Sequence, residues 1–306
     1  MSLSLRTALI LTVPPLMWSA NAVVGRLMVG LVPPLQLNLW RWALALSILL
    51  PLGWRVVSTA PQRRALWAKR SGLVWLGLLG VGVYNALQYV ALNSSTPLNV
   101  TLIAASSPVW MLGIGAVFYG QRPTAMNLLG AALSLAGVAT VLSRGDLSRL
   151  AEVQFVLGDV LMVLAIMSWG VYSWMLARPP AVLRDGLPKA SDDWAGLLLI
   201  QTLFGIGWAA AAAGVEALVV PASTQWSWGV AAAIVFIALG PSLLAYRCWG
   251  LGVAQAGPTT AGFFVNLTPV FAAVLQGLWL GEWPQAYHGL AFGLVLAGIA
   301  VSGLKR

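Results

Sequence analysis

The stretch that decides the fold runs from residue 107 to residue 138. It opens on Ser107-Pro108-Val109-Trp110, passes through Gly120-Gln121-Arg122-Pro123 and closes on Ala136-Gly137-Val138. The pattern returns without a gap, 161 residues on from Pro108 to Pro269, as Thr268-Pro269-Val270, Gly281-Glu282-Trp283-Pro284 and Ala297-Gly298-Ile299. Pro97 falls on Pro258 under the same offset. A second half that copies the first at one fixed offset is an internal duplication, so the architecture must be read as two like units.

Composition says where those units reside. The chain is 59% hydrophobic and only 8% charged, with a mean hydropathy of +0.86. Soluble domains carry about 25% charged residues, so this is an all-α polytopic membrane protein. A helix needs about 20 apolar residues to cross the hydrocarbon core. Ten segments are predicted to do so: 8–29, 35–55, 72–92, 98–119, 126–143, 156–177, 194–215, 228–250, 258–280 and 287–304. Five spans per half is an odd number, so the second copy enters the bilayer from the opposite face. The expected fold is ten transmembrane helices as two inverted five-helix repeats, 1–150 and 151–306. Inverted repeats with proline-broken helices in matching places are the pattern of a secondary transporter with a midplane site.

Charge sets the orientation. The formal net charge is +9. With the N-terminus inside, 12 of the 17 basic residues face the cytoplasm: Arg6, Arg55, Arg63, Arg64, Lys69, Arg70, Arg122, Arg178, Arg184, Lys189, Lys305 and Arg306. Both termini are therefore expected in the cytoplasm. Arg6, an apolar run and Ala20-Asn21-Ala22 imitate a signal peptide, but Pro14-Pro15 interrupts the run and cleavage would break the five-plus-five repeat. The segment is expected to stay as a helix. No basic face interleaved with aromatics exists, so no nucleic-acid partner is expected. One cysteine (Cys248) and one histidine (His288) leave no material for a disulfide or a multi-histidine metal site, and no cofactor or metal is expected. The partners are a small-molecule substrate and the lipid bilayer, and a monomer suffices.

The residues expected to work lie inside the spans. Pro108 and Pro269 sit about ten residues into spans four and nine, where a proline removes a backbone donor that lipid cannot replace. Pro241 does the same in span eight, Gly80 is its repeat partner in span three, and Pro14 loosens span one. These five are the predicted hinges. Of the tryptophans, Trp54, Trp67, Trp75, Trp194, Trp226, Trp228, Trp279 and Trp283 lie near span ends as interfacial anchors. Trp18, Trp110 and Trp169 lie well inside, where an indole N–H needs protein or cavity rather than lipid. Span three places Tyr84 with Gln88, and Asn85 with Tyr89, on adjacent faces; Ser242 and Tyr246 repeat the four-residue spacing in span eight. Asn21 and Asn266 are further mid-span amides. The predicted substrate residues are thus Trp18, Asn21, Tyr84, Gln88, Trp110, Trp169, Ser242, Tyr246 and Asn266, facing a water-filled path. Arg41 and Arg247 are expected to snorkel from span ends to the interface. No carboxylate is expected at mid-membrane; Asp159 and Glu282 lie near interfaces. Gly130 with Ser134, and Gly289 with Gly293, suit close helix contact in spans five and ten.

The segments around Gly120-Gln-Arg-Pro123 and Gly281-Glu-Trp-Pro284, continued by Leu128-Leu-Gly130 and Gly289-Leu, resemble the twin repeat of EamA-type carriers in the drug/metabolite transporter superfamily. Trp18, Arg41 and Ser168-Trp169 fit the same pattern. The chain most resembles the bacterial exporters of aromatic and other amino acids (the YddG type). That resemblance implies alternating access and a central cavity formed by spans 1, 3, 4, 6, 8 and 9. Within it, Trp110, Trp169 and the Tyr84/Gln88 face would line the cavity. Gln121 stands where the motif usually has the acid seen at Glu282. Export of lipophilic cations is the alternative cargo. An intramembrane enzyme, which needs serine and histidine facing each other, is the remote one, because His288 opens span ten at an interface.

Overall fold

The computed structural model describes residues 3–91, 94–95, 103–152, 156–219, 223–280 and 285–304. Pro97, Gly281, Glu282, Trp283, Pro284, Lys305 and Arg306 lie outside the described residues, as do the side chains of Arg26, Tyr89 and Trp279.

The described chain is helical. The first half runs α1 (Leu5–Leu27), α2 (Pro34–Gly53), a short surface helix α3 (Ala60–Ala68), α4 (Arg70–Gly77), α5 (Tyr84–Ala91), α6 (Ser107–Tyr119) and α7 (Ala125–Leu142). The second half runs α8 (Leu157–Ala177), α9 (Ala181–Arg184), α10 (Trp194–Val219), α11 (Trp228–Ile237), α12 (Ala245–Val265), α13 (Thr268–Leu280) and α14 (Ala286–Ser302). Among the described residues, six stretches are long and apolar enough to cross a membrane: Leu5–Gly25, Pro34–Val56, Arg70–Gln88, Leu157–Ala177, Trp194–Val219 and Trp228–Val265. Ser107–Tyr119, Ala125–Val141 and Ala286–Ser302 are apolar but shorter. The 13 residues of α6 rise only about 20 Å at about 1.5 Å each, less than the bilayer core of about 30 Å. A helical turn over 103–105 precedes it, and the rest of that predicted span lies outside the described residues.

The duplication is written into the irregularities. π-helical turns over Leu78–Val83 join α4 to α5, and π-helical turns over Ala238–Leu244 join α11 to α12. These are the same place in each half, centred on the Gly80/Pro241 pair. The helix also breaks at Ser106 in one half and at Asn266–Leu267 in the other. Pro108 and Pro269 then fall in the second position of α6 and α13. They do not strip donors from mid-helix as predicted, because the first-turn N–H groups of a helix have no intrahelical acceptor anyway. Gly257 separates span eight from span nine with φ +81° and ψ 158°, a backbone setting open in practice to glycine alone. Even the caps correspond. Asn127 Oδ1 accepts from the Thr124 backbone N–H at 3.1 Å, and His288 Nδ1 accepts from the Gln285 N–H at 2.9 Å, closing equivalent capping boxes on α7 and α14.

Packing pairs equivalent helices across the halves. α7 lies along α14 and α2 along α10, while α1 against α12 is matched by α8 against α5. Small residues allow the α7–α14 approach, though not all those predicted. A Cβ on Gly298 would stand 2.6 Å from the Gly130 carbonyl oxygen, and one on Gly137 2.8 Å from the Ala291 oxygen. Gly289 and Gly293 face open space, so the expectation of close contact there is corrected: the stripe on α14 is Ala291, Val295, Gly298 and Ser302.

Candidate functional site

Trp169, in the middle of α8 and 4% exposed, is the centre of a ring cluster. Its centroid lies 5.3 Å from Trp18 on α1, 5.3 Å from Trp249 and 5.5 Å from Tyr246 on α12, 5.4 Å from Tyr84 on α5, and 5.0 Å from Tyr172 one turn along α8. The Trp18 contact is edge-to-face, the geometry favoured by ring quadrupoles. Trp42 on α2 joins through Tyr246 at 5.0 Å. The two halves thus meet, near the π-helical turns, through aromatic side chains from α1, α2, α5, α8 and α12.

Polar contacts place the rings. The Tyr246 hydroxyl donates to the Gly80 carbonyl at 2.5 Å, and the Tyr172 hydroxyl to Gln201 Oε1 at 2.7 Å. Glycine at position 80 is a steric need, since a Cβ there would stand 2.6 Å from the Tyr172 ring. Trp249 Nε1 donates to the Ser173 hydroxyl at 3.1 Å, and Trp18 Nε1 reaches the Pro241 carbonyl at 3.4 Å. Pro241 lacks an N–H and cannot bond the Ile237 carbonyl four residues back, so the π-helical turn passes that oxygen to the next residue. The Ser242 hydroxyl donates to that oxygen at 2.9 Å and accepts from Arg41 Nε at 2.9 Å. A cavity of about 20 Å³ touches Tyr172, Gln201, Tyr246, Trp194 and Arg247. That is room for a water molecule and too little for an amino acid, so on this side the rings are closed on one another.

The predicted substrate residues divide. Trp18, Tyr84, Trp169, Ser242 and Tyr246 come together in and beside the cluster. Trp110 stands apart: it packs in a satellite with Ala91, Met162, Ala165 and Ile166, and its Nε1 donates to Ser106 at 2.9 Å. Tyr84 touches both groups. Gln88, on the same helix, is half-buried. Asn266, fully buried at the break between α12 and α13, leaves both amide atoms without a partner, and Asn21 leaves Oδ1 so. Buried amides without partners are rare and mark places where a ligand or water would be held. Pro14 and Pro15 lie within an unbroken α1, where the Ser19 hydroxyl is 2.6 Å from the Pro15 oxygen and 2.8 Å from that of Thr268.

Sequence reasoning missed Trp42, Tyr172, Trp249 and Arg41. Tyr172 and Trp249 carried a signal: Trp169 and Tyr172, like Tyr246 and Trp249, stand three apart and share a helix face. Arg41 is a correction. It does not snorkel; it is 1% exposed, its guanidinium 5.5 Å from the Trp42 ring, because α2 is packed against α10 and the π-helical turns rather than lipid. Arg247 is exposed and lies 5.0 Å over Trp194, as an end-of-span residue should. α10 runs four residues past its predicted end and carries Glu216 into the protein, where it accepts from the Leu35 and Gln36 N–H groups at 2.9–3.1 Å. Asp159 takes the Val156 N–H at 2.8 Å and the Ser95 hydroxyl, and so caps α8. Trp54, Trp67, Trp75, Trp226 and Trp228 are exposed.

Two like halves of apolar helices that meet in a buried aromatic cluster define a multi-pass membrane protein built by duplication. The chain belongs to the EamA-like transporter family, which matches it twice, over residues 5–143 and 156–304. It is 26% identical to an uncharacterized transporter of Archaeoglobus fulgidus over 98% of each chain. It is also 24% identical to the aromatic amino acid exporter YddG of Ancylobacter novellus over 94% of each. A crystal structure sharing 22% identity superposes with a TM-score of 0.72 over 97% of this chain and 96% of the other, so the fold is shared.

Proposed function

We propose that this protein exports amino acids, aromatic and other neutral ones, across the bacterial inner membrane by alternating access. It would cross the bilayer ten times as two inverted repeats, 1–150 and 151–306, with both termini in the cytoplasm, and work as a monomer without a cofactor. The observation that carries the reading is the ring cluster around Trp169, built by spans from both halves at their junction. The name of the Ancylobacter relative supports the cargo. In an open state the side chain of the substrate lies against Trp18, Tyr84 and Trp169, with Trp110 at the Tyr84 side. Ser242, Tyr246, Gln88, Asn21 and Asn266 meet its polar groups. The interruptions at Gly80, Pro108, Pro241 and Pro269, with Pro14 in span one, are the hinges, since irregular backbone at membrane depth is kept where it lines a path.

An aromatic cluster would also hold a lipophilic cation. The buried Arg41 beside Trp42 and Ser242 repels such a cargo and favours the amino-acid reading. The capping role of His288 leaves the enzyme alternative without its histidine. The test is uptake of a labelled amino-acid panel into proteoliposomes, with and without a pH gradient, and with a cationic dye as competitor. Saturable uptake of aromatic amino acids supports the reading. Transport of the dye alone refutes it.

A further inference from the structure

We infer that Arg41 is the point that recognises the carboxylate of the substrate, an inference that rests on the exporter reading above. Arg41 is 1% exposed, and among the described residues no acid meets it. Among the described residues the one ion pair is the exposed Arg149–Asp146 contact. Nε is spent on the Ser242 hydroxyl, and Nη1 is buried with no partner. A guanidinium offers five N–H donors and no acceptor, so each buried donor needs an acceptor beside it. A buried cation with an idle donor calls for an anion, and the fork of a guanidinium matches a carboxylate.

Its position says which anion. The guanidinium lies 5.5 Å from the Trp42 ring, Trp42 lies 5.0 Å from Tyr246, and Tyr246 lies 5.5 Å from Trp169. The charge therefore stands at the margin of the ring cluster, held by the serine that follows Pro241. A ligand whose ring enters the cluster can bring its carboxylate to Nη1. Phosphorylated cargo would seek several cations, and among the described residues Arg41 is the one buried cation. On α2, Asn38, one turn before Arg41, reaches the Val81 carbonyl at 3.5 Å in the other π-helical segment. α2 thus touches the irregular backbone of both halves, and a carboxylate on Arg41 would be sensed at the Ser242 side of that junction.

The experiment compares three ligands that share a phenyl ring: phenylalanine, 3-phenylpropionate, which has the carboxylate alone, and phenethylamine, which has the amine alone. Each competes for labelled phenylalanine uptake into proteoliposomes holding the wild type, Arg41→Gln or Arg41→Lys. Gln can still donate to Ser242, so the local packing is retained. The expected result is that 3-phenylpropionate outcompetes phenethylamine in the wild type. Arg41→Gln should weaken phenylalanine and 3-phenylpropionate by about tenfold or more, leave phenethylamine unchanged, and be partly rescued by Lys. Equal competition by acid and amine in the wild type overturns the inference while the exporter reading stands, and that arm holds even where the variants fail to fold. A Gln variant with unaltered selectivity overturns it as well. No uptake of phenylalanine by the wild type overturns the exporter reading, and the inference falls with it.

Discussion

Consider Gly298→Ala at the α7–α14 crossing. The added methyl would stand 2.6 Å from the Gly130 carbonyl oxygen and 3.0 Å from the Ser134 nitrogen. Both are backbone atoms of the facing helix, so no side-chain rotation relieves the clash. Ordinary contact begins near 3.4 Å, and the helices must separate by about 0.8 Å. That displacement also loosens the twin contact of Gly137 with Ala291. Overpacking of this kind costs about 1–3 kcal/mol. A chain of this size loses about 2–4 °C in melting temperature per kcal/mol, so a fall of about 2–12 °C is expected. The assay is thermal unfolding of the detergent-solubilised protein followed by tryptophan fluorescence, with Gly293→Ala as control. That residue sits on the same helix with nothing within 4 Å, and its replacement should leave stability unchanged or slightly raised, because alanine is the better helix former. A Gly298→Ala protein as stable as the wild type, or a control that is equally harmful, refutes the reasoning.

Trp169→Ala should abolish amino-acid uptake and cost about 3–5 kcal/mol of stability, whereas Trp110→Ala, outside the ring cluster, should change substrate affinity less; uptake and unfolding on the same preparations check both. Glu216→Ala removes the carboxylate that receives the Leu35 and Gln36 N–H groups and should destabilise by about 1.5–3 kcal/mol, with faster amide exchange in the first turn of α2. The Ser148 hydroxyl and then its backbone N–H, with Arg149 nearby, hold the exposed Asp146 carboxyl below the ordinary carboxylate range. Its contribution is therefore present above the unfolded-chain value and lost as pH falls through the depressed one. NMR titration should show that Ser148→Ala moves the Asp146 midpoint upward.

Much of the fold was legible because it depends on spacing along the chain. The 161-residue offset located the discontinuities of both halves before any contact was known. Hydropathy located the apolar helices, and the charge-free interiors marked Trp18 and Trp169. The equivalence of Asn127 and His288 emerged only when each was seen to bond back to its own helix start. Pro108 and Pro269 were rightly read as breaks but wrongly placed within their helices, because sequence does not say on which side of a proline a helix ends.

What the sequence by itself determined is the class: a duplicated, helical membrane protein whose halves are interrupted at the same points. Burial cost and helix period act on neighbouring residues, and both are written in the order of the chain. Which side chains share a site was decided only by tertiary structure. Trp18 and Trp169 lie far apart in sequence, and the rotation of α1 against α8 and α12, not their spacing, makes them touch. The same holds for Arg41. Its sequence neighbourhood permits snorkelling to an interface, and only the packing of α2 against α10 and the π-helical turns turns it inward, to the hydroxyl of Ser242.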